Sequence, residues 1–359
     1  MEQKMLKEWQ DIARLLEQHD AQHVFVVCGK ALMGQPLQKY IDGLPVAKTY
    51  FSGYQPNPEI DDAVAGTRLF NDTGSDFLIV IGGGSAIDTA KAIKMARHMD
   101  LDGDVLTQPY VDDGLPFLAI PSTAGSGSEA THNGVLYHNH VKKAISNDAF
   151  RPTYVLLEPA LLMTLPDYQR KVTMMDALCQ AIESYWSVSA NAQSKQYARQ
   201  AMTIIMAHGS DYAAGKHEAD AAIMQASYLS GQAINITRTT AAHAMSYGLV
   251  MTFPIAHGQA VAMTLPYLWQ DIKKRVDSAA DKRGVDYLRQ TMADLDEILG
   301  GDGLTAFATL YQKLDLPKQH ADEKMIEALA ATVDTGRLGN SPVPTGPQQI
   351  RGALRSALD

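Results

Sequence analysis

Hydrophobic and polar positions follow two different rhythms along the 359 residues. In the first part, short unbroken apolar runs end at glycine or in small-residue loops. They are HVFVVCGKAL (23–32), FLIVIGGGSAIDTAKAIKMA (77–96), LPFLAIPSTAGSGSEAT (115–131) and TYVLLEP (153–159). A continuous apolar run reads as a strand buried on both faces, as in a parallel sheet. Behind the second run, Ile87, Ala90, Lys91 and Ile93 follow a helical spacing. Strands alternating with helices predict an α/β domain. The opening 19 residues, with Met5, Leu6, Trp9, Ile12, Leu15 and Leu16 near helical spacing, read as one amphipathic helix. After Pro166 the texture changes. MMDALCQAIESYW (174–186), SKQYARQAMTIIMAHG (194–209) and EADAAIMQASYLSGQAI (218–234) are rich in Ala, Met, Leu and Gln. They predict helices, some buried nearly all round. The expected division is an α/β domain over 1–160 and an all-helical domain over 161–359.

Composition narrows the class. Hydrophobic residues make up 46% and charged residues 20%, an ordinary globular mix that excludes wholesale disorder. Lys plus Arg (31) against Asp plus Glu (40) leaves a net charge of −9. Such a surface repels phosphate backbones, so nucleic-acid binding is not expected. The two cysteines, Cys28 and Cys179, form no CxxC pair, which argues against a disulfide framework or a thiolate zinc knuckle. Charges interrupt the N-terminal MEQKMLKEWQDIARLLEQH, so no signal-peptide core is present, and no apolar run approaches the ~20 residues of a membrane span. A soluble cytoplasmic protein is the expectation.

Two loops invite a ligand. GGGSAID (82–88) joins a predicted strand to a predicted helix. Glycines let backbone N–H groups approach a phosphate, and the helix N-terminus adds partial positive charge. The spacing is not GxGxxG, and a tight turn explains a glycine triplet equally well. PSTAGSGSEAT (121–131) follows the next strand with hydroxyls and small side chains. Two such loops after successive parallel strands favour a crevice at the strands' carboxyl ends over a simple surface loop.

The helical half offers metal chemistry. Asp176 and Gln180, at i and i+4, project from one helical face among Leu178, Ala181, Ile182 and Tyr185. A buried carboxylate is costly unless paired or on a metal. His243 and His257 lie fourteen apart in HAMSYGLVMTFPIAHG. One Asp and two His suit Zn²⁺ or Fe²⁺. A hydrogen-bonded Asp and two satisfied histidines are the alternative.

Taken together, GGGSAIDTAK (82–91), IPSTAGSGSE (120–129), LPDYQRKVTMMDALCQAIES (165–184) and HAMSYGLVMTFPIAHG (243–258) resemble the iron-containing (group III) alcohol dehydrogenase family. The resemblance covers nearly the whole chain. It implies a Rossmann-like α/β N-terminal domain, an all-helical C-terminal domain (the fold shared with dehydroquinate synthase), a metal in the cleft between them, NAD(P)H as cofactor and a homo-oligomer. The family's metal motif is Asp, His four residues later, then two His fourteen apart. Asp176, His243 and His257 match it. Gln180 stands where His is usual and offers a carbonyl oxygen, a weaker ligand. Tyr247 stands where many members carry a further His assigned to proton relay; a phenol can donate and accept, so it either substitutes in that role or packs.

The resemblance also assigns the cofactor contacts. Gly82, Gly83, Gly84 and Ser85 receive the pyrophosphate, Asp88 caps the helix or orders the loop, and Ser122, Thr123 and Lys143 contact the nicotinamide side and ribose. At the end of the first predicted strand, Gly29 stands where NAD-preferring members carry Asp for the ribose 2′-OH. With no carboxylate there and Lys30 beside it, NADP(H) is tolerated. DALCQAIESYWS and AINITRTTAAHAMSY look closest to a subgroup that reduces phosphonoacetaldehyde to 2-hydroxyethylphosphonate. A phosphonate needs cationic and hydroxyl donors. Asn235, Thr237 and Arg238, just before His243, are the candidates, with Arg337 in GRLGNSP (336–342) a further anion binder; a helix-end or interdomain salt-bridge role is the equal alternative for Arg238. The competing expectations are a dehydrogenase for short uncharged alcohols or diols, a lyase like dehydroquinate synthase, and, given Gln180, a degenerate, non-catalytic binder.

Overall fold

The computed structural model describes residues 3–29, 32, 34–139, 141–333 and 335–359. Two compact units emerge: Met1–Thr123 with Ser128–Leu162, and Ala124–Gly127 with Met163–Asp359.

The first unit runs β1 (Lys4–Leu6), α1 (Asp11–Gln18), β2 (His23–Cys28), α2 (Pro36–Gly43), β3 (Ala47–Phe51), α3 (Ile60–Asp72), β4 (Phe77–Gly82), α4 (Gly84–Ala96), β5 (Phe117–Pro121), β6 (Asn133–His138), β7 (Val141–Ser146) and β8 (Tyr154–Leu156). Six strands form one sheet in the order β1-β8-β5-β4-β2-β3. Every pair in it is parallel. Strands β6 and β7 form a separate antiparallel hairpin. Alternation along each strand splits the core in two. Val24, Val26, Ile79, Ile81, Leu118 and Ile120 meet Ile12, Leu15, Leu37 and Ile41 on one face. Phe25, Val27, Leu78, Val80 and Ala119 meet Phe70, Ile87, Ala90 and Ile93 on the other. The opening segment differs from the single helix expected. Residues 4–6 pair with 154–156 as a sheet edge, and the helix begins only at Asp11. Met5 therefore stays half exposed, while Ile12, Leu15 and Leu16 are buried.

The second unit is helical: α5 (Asp167–Trp186), α6 (Ala192–Ala213), α7 (Asp220–Thr237), α8 (Ala241–Thr252), α9 (His257–Lys274), α10 (Val285–Ile298), α11 (Gly303–Lys313), α12 (Glu323–Ala331), α13 (Thr335–Leu338) and α14 (Pro347–Leu358). Helix α5 is buried through most of its length, so its sequence carries no wide polar face. A buried ion pair, Arg170 to Asp220 at 2.5 Å, ties α5 to the start of α7, and the guanidinium lies over the Tyr212 ring of α6. No helix is long and apolar enough to cross a membrane among the described residues.

Candidate metal centre and dinucleotide loops

In the first unit the chain passes from β2 to β3 on one side, then places β4 on the other side of β2. Such a reversal opens a crevice at the carboxyl ends of the strands. Gly29 follows β2 there, and Gly82 closes β4. A side chain at Gly82 would overlap Ala86 Cβ, and one at Gly83 would press on Thr123 at 3.1 Å. Glycine is thus required at Gly82, while the fit at Gly83 is tight. Gly83 caps α4 without any side chain, so the first N–H groups of Gly84 and Ser85 are left for an anion. Ser122 N–H donates to the Gly82 carbonyl at 3.0 Å, holding the two loops together.

Asp88 lies one turn into α4. It accepts from Ser128 Oγ at 2.6 Å and from Val135 N–H at 2.9 Å. Beside it, fully buried Lys91 donates to the Ser128 and Asn133 carbonyls and to the Ser128 and Thr131 hydroxyls. Burial pushes Lys91 down to about 8 against the raising effect of Asp88 and Glu129. Lys143 stands exposed on β7, opposite Leu136. Lys30 and the Arg337 side chain lie outside the described residues.

The second unit gathers the predicted ligands. Asp176 is on α5, His243 in the first turn of α8, and His257 is the first residue of α9. One ligand atom from each lies within 4.8 Å of the others. Asp176 Oδ1 is 3.3 Å from His243 Nε2 and 3.7 Å from His257 Nε2. His243 Nε2 is buried with no hydrogen-bond partner among the described residues. Burial lowers the His243 pKa, but the Glu183 and Asp176 carboxylates outweigh it and raise the imidazole to about 9. The pocket thus attracts positive charge, and two imidazoles with one carboxylate suit a transition metal or zinc. The donor set fits a divalent cation.

Three features of this site escaped the sequence reading. Glu183, fully buried on α5, accepts from His243 Nδ1. Gly258 lets α9 touch α5, since a side chain there would overlap the Val172 carbonyl. Asn340 donates to the Thr237 and Thr239 carbonyls at 2.7 and 3.0 Å, clamping the turn before α8. A carboxylate seven residues after Asp176 and a glycine directly after His257 were the available signals.

Gln180 donates from Nε2 to the Ser126 carbonyl at 3.2 Å, and its Oε1 receives the Ser230 hydroxyl at 3.0 Å. Gly125 and Gly127 pack tightly against Thr173 of α5 and Gly231 of α7. Close approach at these two glycines thus serves helix packing. Tyr247 follows His243 by one turn of α8, half-buried, and Asn235 is half-buried on α7. Thr237 is buried, its hydroxyl bonded to Ser184 Oγ at 2.9 Å. Arg238 is exposed, and no carboxylate pairs with it among the described residues. Its backbone sits at φ 59°, ψ −178°, a region normally left to glycine.

Residues 6–159 match the model of iron-containing alcohol dehydrogenase, and residues 171–356 match the C-terminal model of the Fe-containing alcohol dehydrogenase family. The chain belongs to the iron-containing alcohol dehydrogenase family. Within it, a long-chain-alcohol dehydrogenase 1 of Geobacillus thermodenitrificans is 32% identical over 259 residues, 69% of this chain and 61% of that protein. A phosphonoacetaldehyde reductase of Streptomyces viridochromogenes is 32% identical over 260 residues, 68% of this chain and 66% of that protein. The chain thus spans less than two thirds of the length of these two relatives. The solved sulfoacetaldehyde reductase of Bifidobacterium kashiwanohense, in complex with NAD⁺, shares the fold with a TM-score of 0.87 at 24% identity, over 99% of this chain and 96% of that one. The α/β unit followed by a helical unit is therefore the architecture of iron-containing alcohol dehydrogenases.

Proposed function

We propose that this family member is a metal-dependent NAD(P)H oxidoreductase that reduces a small aldehyde to a primary alcohol, with phosphonoacetaldehyde, reduced to 2-hydroxyethylphosphonate, as substrate. The observation that carries the reading is the convergence of Asp176, His243 and His257 on one point. When bound, a divalent cation (Fe²⁺ or Zn²⁺) held by these three supplies Lewis-acid polarisation of a carbonyl oxygen, and a reduced nicotinamide supplies hydride. The open turn at Gly82, Gly83, Gly84 and Ser85 binds the pyrophosphate. Gly29 leaves room for a 2′-phosphate. Tyr247 Oη delivers the proton that completes the alcohol.

Two observations support the anionic substrate. Arg238 presents an unpaired guanidinium on a strained backbone, and strain of about 1–3 kcal/mol collects at functional positions. The phosphonoacetaldehyde reductase relative is as similar as any of the two curated relatives described. The equal identity to a long-chain-alcohol dehydrogenase sustains a second reading, in which the substrate is an uncharged alcohol or aldehyde. Oxidation of NADH and NADPH is to be followed with phosphonoacetaldehyde and with butanal. A kcat/KM at least tenfold higher for the phosphonate is expected. Equal or better turnover of butanal would favour the second reading.

A further inference from the structure

Among the described residues of this site, Glu183 is the one buried carboxylate that the mechanism above leaves unused. It is 0% exposed. Its Oε1 accepts from Thr240 Oγ1 at 2.6 Å and from the Ala242 N–H at 2.9 Å. Its Oε2 accepts from His243 Nδ1. The carboxylate therefore caps the N-terminus of α8 from another helix, where negative charge is stabilised. Trp186 Nε1 donates to Thr240 Oγ1 at 3.1 Å, which commits the threonine proton to Glu183. Both partners of Oε1 are thus fixed donors, and Oε2 is left to the imidazole. An ionised carboxylate has no proton to give, so the hydrogen on this contact sits on His243 Nδ1.

We propose that Glu183 is a positioning residue that keeps a proton on His243 Nδ1, so that Nε2, the nitrogen facing Asp176, is the one that exchanges its proton for a divalent cation. The inference rests on the metal reading of Asp176, His243 and His257. Fixing the tautomer of a ligating histidine through its other nitrogen is a general device of metal sites. Here the geometry adds something sharper. In Glu183→Gln, the Ala242 N–H demands an acceptor, so the new amide oxygen faces Ala242 and Thr240. The amide NH₂ then faces His243 Nδ1 and, as a donor, drives the imidazole proton to Nε2. The isosteric change removes the lone pair from the position that needs it. Glu183→Ala leaves the imidazole able to choose either tautomer.

The order of the two variants tests this. Metal-free protein is titrated with Zn²⁺ and Co²⁺ in competition with a chelator. Glu183→Gln is expected to weaken binding about 100-fold or more and Glu183→Ala about tenfold, within the range for partners of ligating histidines. A role in packing or charge alone makes alanine at least as harmful as glutamine, and that order would overturn the proposal. A second measurement needs no variant. In the unaltered zinc-loaded protein with ¹⁵N-labelled histidine, NMR is expected to show the His243 proton on Nδ1. A proton on Nε2 would overturn it equally. If the unaltered protein takes up neither metal, the metal reading falls and this inference with it. Normal uptake with the reversed variant order removes this inference alone.

Discussion

His243 and Asp176 face each other at 3.3 Å, Nε2 to Oδ1, both nearly enclosed by helices. His257 completes the group from a more open position, 42% exposed. Its removal should therefore cost little packing. His257→Ala is expected to reduce bound metal from about one equivalent to a small fraction and to lower kcat by a factor of at least about 10³, with far-ultraviolet dichroism unchanged. Metal analysis alongside steady-state rates checks both halves. Retained metal with full turnover would contradict the assignment.

Arg238 carries opposing demands. Its backbone conformation suits glycine, so Arg238→Gly should stabilise the helical unit by about 1 kcal/mol, read from urea unfolding. The same change should raise KM for phosphonoacetaldehyde at least tenfold and leave KM for butanal within about twofold. Arg238→Ala should reproduce the kinetic effect without the stabilisation. Equal kinetic effects on both substrates would mean that the guanidinium does not meet the anion.

On the proposed reading, Gly29 governs cofactor choice. A Cβ there would lie 3.4 Å from Tyr54 Oη, an ordinary contact, so a side chain fits. Gly29→Asp should raise the NADH over NADPH ratio of kcat/KM by about tenfold or more, through repulsion of the 2′-phosphate. Unaltered protein with a strong NADH preference would contradict the role given to Gly29.

Glu129 sets a pH dependence in the α/β unit. Burial raises its carboxyl from 4.5 to about 7, against its own backbone N–H and the charge of Lys91. A folded pKa above the unfolded one means that the native state holds the proton more tightly. The stabilising contribution is complete below pH 4.5 and is lost as pH rises through 7. At roughly 1.4 kcal/mol per unit the change is on the order of 3 kcal/mol. Glu129→Gln should flatten the stability of this unit between pH 4.5 and 7, measured by urea unfolding at several pH values. An unchanged slope would show that Glu129 is not the group responsible.

The interior strands were legible because β2, β4 and β5 are buried on both faces, so each shows as a short apolar run leading into glycine or a small-residue loop. The edge strands were not. Three residues in β1 carry no period, and β3 reads AKTYF with four of its five positions partly or fully open. The hairpin of β6 and β7 was hidden by the polar VKKAIS. At the candidate metal centre, residue type singled out Asp176, His243 and His257, with a hydrogen-bonded Asp and satisfied histidines as the alternative. It did not single out Glu183, because a helical glutamate is ordinarily solvated, and only the fold brings it against Thr240, Ala242 and His243. Asn340 was equally silent, since its partners at Thr237 and Thr239 lie about a hundred residues away.

Lys91 has a consequence for following the protein in solution. Its amine is sealed from solvent and held by Ser128, Thr131 and Asn133. An acylating reagent or trypsin acts there only after α4 and the segment behind it separate. The labelling rate of this single amine, against the rapid background of surface lysines, becomes a clock for local opening beneath the turn at Gly82 to Ser85. A ligand that tightens the turn should slow that clock in proportion to the opening it suppresses.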